Sequence, residues 1–243
     1  MAEHPTENSP IIYSRVAGTL YLVIIVSGIF GEAFVRSGLI VPENAVATAD
    51  NIVASEGLFR VGFLADSIMF LSDVALAALL YILLEPVSKM LALIAMCFRL
   101  TQTAVLALNL LNYYAAGLLL NAADYASEFE PGQLASLSYL FLDLHGHGYD
   151  LGLLLFGVHC LLLGYLIFKS HYLPKTLGVL MIAASATYLV GSYTRFLFPD
   201  YVSVVEPIYI VAFVSELSLC LWLLVKGVDV QKWREASGGD VGA

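Results

Sequence analysis

The stretch YLFLDLHGHGYDLGLLLFGVHCLLLGYLIFKS, residues 139–170, decides the fold. Its first half carries ionisable residues (Asp143, His145, His147 and Asp150), and its second half is an apolar run, 151–168, that holds one histidine, His159. An apolar run of this length predicts a helix in lipid, because hydrocarbon offers backbone N–H and C=O groups no partners except each other. Ionisable groups inside such a helix are costly, and a costly group generally has a function or a partner. The stretch therefore predicts a membrane-spanning helix with a candidate site along it.

The composition of the whole chain is typical of a polytopic membrane protein. Hydrophobic residues make up 60% of it and charged residues only 13%, which favours a lipid bilayer as its surroundings. No basic patch or arginine-rich stripe is present, so nucleic acid is not an expected partner. The three cysteines (Cys97, Cys160 and Cys220) lie in separate apolar stretches without a CxxC motif. They are expected to be packing residues rather than a disulfide framework.

Six apolar runs are each about 20 residues or longer, the length that a helix needs to cross a bilayer. They cover residues 13–35, 59–84, 89–120, 149–168, 173–198 and 207–226. We therefore predict an all-α fold, a bundle of six transmembrane helices that forms a single transmembrane domain over residues 1–243. A short polar N-terminal tail (1–12) and a C-terminal tail (227–243) flank the bundle. No internal repeat is evident, so nothing favours an inverted-repeat transporter.

Two of the predicted connections, 37–58 and 121–138, are long and carry acidic residues. Residues 48–57 predict a short helix lying in the membrane interface. Glu130-Pro131 predicts the start of another helix. Continued without a break to Phe168, that helix would be about 57 Å long, more than the bilayer thickness. It should therefore either project outward or break, and Gly146 and Gly148 are the expected place for a break.

Basic residues collect on one side of the predicted bundle. With an even number of spans, both termini share a side with the turns at Pro86 and Pro174. The basic residues on that side are Arg15, Lys89, Lys169, Lys175, Lys226, Lys232 and Arg234. The positive-inside rule then predicts that both termini are cytoplasmic.

Four ionisable residues from four different helices fall at a similar predicted depth: Asp73, Arg99, His159 and Glu216. Each lies roughly ten residues from its helix end, which is about 15 Å and hence the bilayer midplane. Further polar residues form a second layer nearer the predicted outer face, and the inner half has almost none. This asymmetry predicts a polar cavity that opens outward. The candidate ligand- or proton-binding residues are Asp73, Arg99, His159, Glu216, Asp66, His145 and Arg60.

A purely structural role for the same residues stays open. Arg99 could form a static link between helices by pairing with Asp73 or with Glu216. Glu32 and Arg36, four residues apart on one helix, could neutralise each other.

Cofactor chemistry has weak support. Asp143, His147 and Asp150 share a helical face, and they are weak candidates for a metal site, so we predict no metal. Haem held by two histidines would need a second histidine at the depth of His159, and the sequence offers none. Neither a Gly-x-Ser-x-Gly motif nor a phosphate-binding Gly-rich loop is present. We predict no cofactor, and the sequence leaves open whether the protein is an enzyme.

Three segments resemble one family. RVAGTLYLVIIVSGIFGEAFVR (15–36), LFRVGFLADSIMFLSDVALAALLY (58–81) and LDLHGHGYDLGLLLFGVHCLLLGYLI (142–167) are similar to domain-of-unknown-function family 4386, a bacterial membrane family. The residues that fit its pattern are Gly18, Tyr21, Arg60, Asp66, Asp73, Arg99, His145, Gly148, Tyr149, Gly157, His159, Gly164, Tyr165, Pro174 and Glu216. His147 departs from the pattern, which weakens the metal hypothesis. The resemblance implies a multi-pass bacterial membrane protein and supplies no activity. We expect the protein in the bacterial cytoplasmic (inner) membrane.

Three functional hypotheses follow. The first is the binding or passage of a small polar solute or a proton through the outward-facing polar site, for which a titrating His159 is suited. The second is a membrane-embedded enzyme that acts on a lipid or a quinone-like substrate. The third is a non-catalytic membrane partner or sensor in which the polar layer is structural.

The predicted orientation can be tested by labelling. A cysteine placed at Glu43 or at Asp124 should react with an impermeant thiol reagent added to intact cells, because both positions lie on the predicted outer side. Labelling of a cysteine at Lys169 instead would overturn the orientation.

Overall fold

The chain folds entirely as helices and turns over the residues that its computed structural model describes, 9–121 and 129–238. In chain order the helices are α1 (Ser9–Ile29), α2 (Ala45–Ala54), α3 (Glu56–Leu84), α4 (Lys89–Asn121), α5 (Pro131–Lys169), α6 (Lys175–Leu197), α7 (Tyr209–Val225) and α8 (Val230–Ala236). A π-helix, Phe30–Arg36, continues α1. The labelling position Asp124 and most of the N-terminal tail lie outside the described residues.

Six of the helical segments are long and apolar enough to cross a membrane. They are Pro10–Leu39, Glu56–Leu84, Lys89–Asn121, Gly132–Lys169, Lys175–Leu197 and Pro199–Val225. The prediction of an all-α protein with six spanning helices is confirmed. The predicted start of α5 at Pro131 is confirmed as well. The helix predicted at 48–57 is shifted, since α2 covers Ala45–Ala54 and residues 56 and 57 belong to α3. It begins earlier because the Asn44 side chain caps it by accepting a hydrogen bond from the Ala47 N–H at 3.0 Å. Its position in the membrane interface stays a prediction.

Helix α5 does not break at Gly146 and Gly148, so the suggested break was wrong. It is one helix of 39 residues, about 58 Å long. A Cβ atom at Gly148 would lie 2.1 Å from Asn109 Oδ1, and Asn109 Nδ2 donates to the His145 carbonyl at 2.8 Å. Because Gly148 has no side chain, Asn109 of α4 can pack directly against the backbone of α5, which stays helical there. That α5 projects beyond the membrane stays a prediction.

The chain divides into two compact units. Unit 1 comprises Met1–Leu22, Ser72–Gln102 and Leu153–Ala243, and unit 2 comprises Val23–Leu71 and Thr103–Gly152. The prediction of a single transmembrane domain stays a prediction.

Glycines allow the helices of unit 1 to pack closely. A Cβ atom at Gly178 on α6 would lie 2.6 Å from the Gly164 carbonyl oxygen of α5, and one at Gly18 on α1 would lie 2.6 Å from the Leu224 nitrogen of α7. Small residues are common at helix contacts in lipid, because packing there depends on close approach rather than on the hydrophobic effect.

The end of α3 is fastened by two side chains of unit 1. The Tyr172 hydroxyl and Trp233 Nε1 both donate to the Leu83 carbonyl, at 2.8 Å and 3.0 Å. A carbonyl in the last turn of a helix has no partner within that helix, so these donors satisfy a group that would otherwise be unpaired. Burial raises the pKa of the Tyr172 phenol, which keeps it a donor.

Unit 2 is built around a stacked aromatic pair. The rings of Phe59 and Tyr113 lie 4.1 Å apart and nearly parallel, and the Tyr113 hydroxyl donates to the Phe59 carbonyl at 2.9 Å. Val35 from the π-helix and Ile52 from α2 pack into the same core and are completely buried. The connection between α1 and α3 is thereby part of the folded core of this unit.

The α5–α6 contact gives a stability prediction. Gly178→Ala should lower the free energy of unfolding by about 1–3 kcal/mol, because the added methyl group meets backbone atoms of α5 that cannot move aside. The measurement is thermal or denaturant unfolding of the purified protein in detergent. Gly57→Ala is the matched control, since nothing lies within 4 Å of its Cβ position; equal destabilisation by both changes would contradict the close packing.

Candidate functional site

Arg99 is the centre of a buried polar cluster in unit 1. Its side chain is 0% exposed, and its Nε and Nη2 atoms donate to Asp73 Oδ1 at 2.9 Å and 2.5 Å. Its Nη1 atom lies 3.0 Å from His159 Nε2. Of the two predicted pairings of Arg99, the one with Asp73 is therefore formed as a direct ion pair.

The partners of His159 define its protonation state. Its Nδ1 atom lies 2.9 Å from the Ala95 carbonyl oxygen, which can only accept a hydrogen bond. Arg99 can only donate, so Nε2 must accept. The imidazole is consequently neutral, with its proton on Nδ1, and both of its nitrogens are occupied.

Aromatic rings surround the Arg99 guanidinium. Its Cζ atom lies 5.3 Å from the centre of the Tyr21 ring and 5.2 Å from that of Phe156. The Phe156 ring in turn stacks on His159 at 5.6 Å. Ring faces carry negative electrostatic potential, so these contacts stabilise the buried cation in addition to its ion pair.

Glu216 is held by two tyrosines. The Tyr21 hydroxyl donates to its Oε2 atom at 3.1 Å, and the Tyr188 hydroxyl makes a short hydrogen bond to its Oε1 atom. Glu216 is 9% exposed. Tyr21 thus contacts both Arg99, through its ring, and Glu216, through its hydroxyl, which links the four residues predicted to lie at one depth.

The acids of this cluster outnumber its cations. Among the described residues of unit 1, the buried side chains that can carry a full charge, apart from His159, are Asp73, Arg99 and Glu216. With both acids ionised and His159 neutral, two carboxylates would face one guanidinium. A buried carboxylate without an opposite charge is costly in a medium of low dielectric constant.

A second cluster lies in unit 2 around Arg36. Its Nη1 atom donates to Asp66 Oδ2 at 2.8 Å, and its Nε atom donates to Glu32 Oε2 at 2.7 Å. Arg36 and Asp66 are buried, whereas the Glu32 side chain is 73% exposed. The expected Glu32–Arg36 pair is formed, but Arg36 also binds Asp66, so it is shared between two carboxylates.

His145 belongs to the aromatic part of unit 2. Its ring lies 5.4 Å from that of Tyr113 and 6.5 Å from that of Tyr149, and it is 4% exposed.

Arg60 is part of neither cluster. It pairs with Glu56, four residues earlier on α3, and its side chain is 74% exposed. Its expected role as a binding residue therefore has no support from its position.

The weak metal candidates do not converge. His147 Nδ1 lies 2.9 Å from the Asp143 carbonyl oxygen and 3.6 Å from its carboxylate. Within residues 9–121 and 129–238, no group of three or more His, Cys, Asp or Glu side chains is arranged to hold a metal ion.

Sequence reasoning missed Tyr21 and Tyr188, which are the two hydrogen-bond partners of Glu216 in the unit 1 cluster. The chain contains 14 tyrosines, so a tyrosine in a spanning helix is a weak signal. It also missed the Arg36–Asp66 pair, because Glu32 offered Arg36 a partner within the same helix.

Together these features define a polytopic α-helical membrane protein with buried, charged intramembrane clusters. The family profile described as "Domain of unknown function (DUF4386)" matches residues 16–227, which is most of the chain. The protein belongs to this family, and the resemblance noted from its sequence is confirmed.

A relative from the archaeon Archaeoglobus fulgidus bears the name "Uncharacterized protein". It is 29% identical over 160 residues, which cover 66% of this chain and 80% of the relative. Because this relative is archaeal, a bacterial origin stays a prediction. No solved structure matches the chain.

The unit 1 cluster gives a second stability prediction. Arg99→Leu should destabilise the protein by about 3–5 kcal/mol, because it leaves the Asp73 carboxylate buried without its partner. Thermal unfolding in detergent is the measurement. Adding Asp73→Leu to Arg99→Leu should recover part of the loss, since Asp73 is then no longer a buried carboxylate without its partner.

Arg60→Leu is the control for this prediction, because it removes an exposed ion pair worth about 0–1 kcal/mol. Unchanged stability of the Arg99→Leu protein would contradict the pairing.

Proposed function

We propose that the protein binds a proton or a small polar solute of positive charge at the cluster around Glu216 and passes it into or across the membrane. The observation that supports this proposal is that the described residues of unit 1 bury two acids, Asp73 and Glu216, and one guanidinium, Arg99. An added positive charge at Glu216 would make the cluster neutral. Intramembrane carboxylates with this role are common in proton and cation pathways.

The residues of the cluster have two proposed roles, one structural and one in binding the ligand. Arg99, Asp73 and His159 satisfy one another and come from three helices, so they are suited to holding the helices in place. The sequence favoured His159 as the titrating group, but its two hydrogen bonds favour a positioning role. Glu216, held by neutral hydroxyl donors, is the group suited to taking up the charge.

The cluster is closed in the conformation described. Asp73, Arg99, His159 and Glu216 are between 0% and 9% exposed, so entry and exit require another conformation. The predicted opening toward the outer face is part of this proposal, and Glu216, the most exposed of the four, is its expected point of entry.

A structural polar layer, the third hypothesis, is favoured by the mutual pairing of Asp73, Arg99 and His159. It does not account for Glu216, whose charge the pairing leaves uncompensated. The hypothesis of an enzyme for a lipid or quinone-like substrate stays a prediction that no contact in either cluster specifically favours.

The cytoplasmic position of both termini and residence in a bacterial cytoplasmic membrane are also proposals, supported by the distribution of basic residues. The labelling experiment at Glu43 and Lys169 is best made in a protein whose Cys97, Cys160 and Cys220 are replaced by serine, so that only the introduced cysteine reacts.

Proton passage can be measured in sealed lipid vesicles that contain the purified protein and a pH-sensitive dye. A potassium diffusion potential should drive internal acidification with the wild-type protein. Glu216→Gln should reduce this flux at least tenfold, because the amide cannot carry a proton or compensate a cation.

Glu206→Gln is the matched control, since it makes the same chemical change at an exposed position near the start of α7. Equal proton flux with the Glu216→Gln and wild-type proteins would contradict the proposal that a proton binds at Glu216. Competition of the flux by a small ammonium ion would identify a cationic solute as the ligand.

A further inference from the structure

One oxygen of the Asp66 carboxyl in unit 2 has no partner among the residues that the structure describes. Its Oδ2 atom accepts from Arg36 at 2.8 Å, whereas its Oδ1 atom is buried and has no hydrogen-bond donor among the described residues. Asp66 is 1% exposed. A buried carboxylate oxygen without a donor is costly and calls for an explanation.

The surroundings of Oδ1 limit what could satisfy it. A Cβ atom built on Gly31 would lie 3.0 Å from Oδ1, which is tighter than most contacts in proteins. The same Cβ atom would lie 3.1 Å from Arg36 Nη2, so the Gly31 backbone packs against this ion pair and supplies no side-chain donor to Oδ1. A proton is a ligand that needs no additional space there.

The charge count of the cluster points the same way. Arg36 is one guanidinium shared by two carboxylates, Glu32 and Asp66. With both carboxylates ionised, the cluster carries one uncompensated negative charge, and the buried Asp66 bears the larger cost of it. Glu32 belongs to the polar layer that the sequence places nearer the outer face, and its exposed side chain is expected to reach water, which would screen its charge.

Polar side chains of α4 and α5 also lie near the Arg36–Asp66 pair. On α4 the Tyr113 hydroxyl donates to the Phe59 carbonyl. On α5 the Tyr149 hydroxyl points to Met69 Sδ at 3.9 Å, and His145 packs by its ring against the two tyrosines. Arg36 is therefore the cation that faces Asp66 among these residues.

The local backbone supports a functional role for this arrangement. Gly31, Glu32 and Arg36 all belong to the π-helix Phe30–Arg36, and short π-helical segments occur frequently at functional sites. Within this π-helix, Arg36 donates to Asp66 and also to Glu32.

We propose that Asp66 is a second proton-binding site, with the proton on Oδ1. Protonation makes Asp66 neutral and leaves Arg36 paired in charge with Glu32 alone. The proton on Asp66 thereby decides whether Arg36 is bound mainly by a buried or by an exposed carboxylate. This site is separate from Glu216 and does not depend on the function proposed for it.

Infrared spectroscopy of the full-length protein in lipid vesicles tests the proposal. A protonated carboxyl gives a C=O stretching band that shifts in D2O and is absent from a carboxylate. We expect a band that vanishes as the pH is raised, that is missing in Asp66→Asn, and that persists in Glu216→Gln. A full set of bands in the Asp66→Asn protein would overturn the proposal.

A second variant covers the case in which Asp66→Asn does not fold. Glu32→Gln changes an exposed side chain, and it leaves Arg36 and Asp66 balanced as a simple ion pair, so the Asp66 band should weaken by at least half at the same pH. The matched control is Glu43→Gln, an exposed acid of the same unit, which should leave the band unchanged. An unaltered band in Glu32→Gln would contradict the shared-charge argument.

Discussion

The packing of unit 1 depends on the fully buried guanidinium of Arg99, which needs opposite charge and hydrogen-bond acceptors around it. A cation inside a membrane protein is stable only if opposite charge and hydrogen-bond acceptors are fixed around it. Arg99 obtains them from α3 through Asp73 and from α5 through His159, and two aromatic rings cover its faces. Because each partner comes from a different helix, the requirements of one side chain define how three helices meet. The contact of Gly18 on α1 with Leu224 on α7 then accompanies the hydrogen bond from Tyr21 on α1 to Glu216 on α7.

Both units bury an arginine and pair it with an aspartate, but they differ in where the additional acid lies. Each contains an arginine–aspartate pair, a buried histidine and tyrosines, together with one acid more than the arginine can neutralise. In unit 1 the additional acid, Glu216, is buried and receives two hydroxyl donors. In unit 2 the additional acid, Glu32, is exposed, and one oxygen of the buried Asp66 has no hydrogen-bond donor among the described residues. A static network would be expected to contain as many cations as acids, and in both clusters the acids outnumber the arginine by one.

Much of the fold and part of the site follow from the sequence. The apolar runs predicted the six spanning helices, because only intrahelical hydrogen bonds satisfy a backbone in lipid, and helical rise placed Asp73, Arg99, His159 and Glu216 at one depth. Spacing along a helix does not give rotation between helices, so the choice of Asp73 over Glu216 as the partner of Arg99 could not be predicted. The same limit hid Tyr188 and the Arg36–Asp66 pair. Gly148 was taken for a breaking point, because its sequence does not reveal that Asn109 fills the space beside it.

The protonation state of His159 tests the central claim most directly. The charge excess at Glu216 exists only if this imidazole is neutral, with its proton on Nδ1 and with Nε2 accepting from Arg99. Solid-state NMR of ¹⁵N-histidine-labelled protein in bilayers distinguishes the two neutral tautomers from the imidazolium, and His159→Gln assigns the signal. The account predicts one neutral Nδ1–H tautomer that persists across the neutral pH range. A doubly protonated His159 would balance the cluster without a ligand and contradict the account.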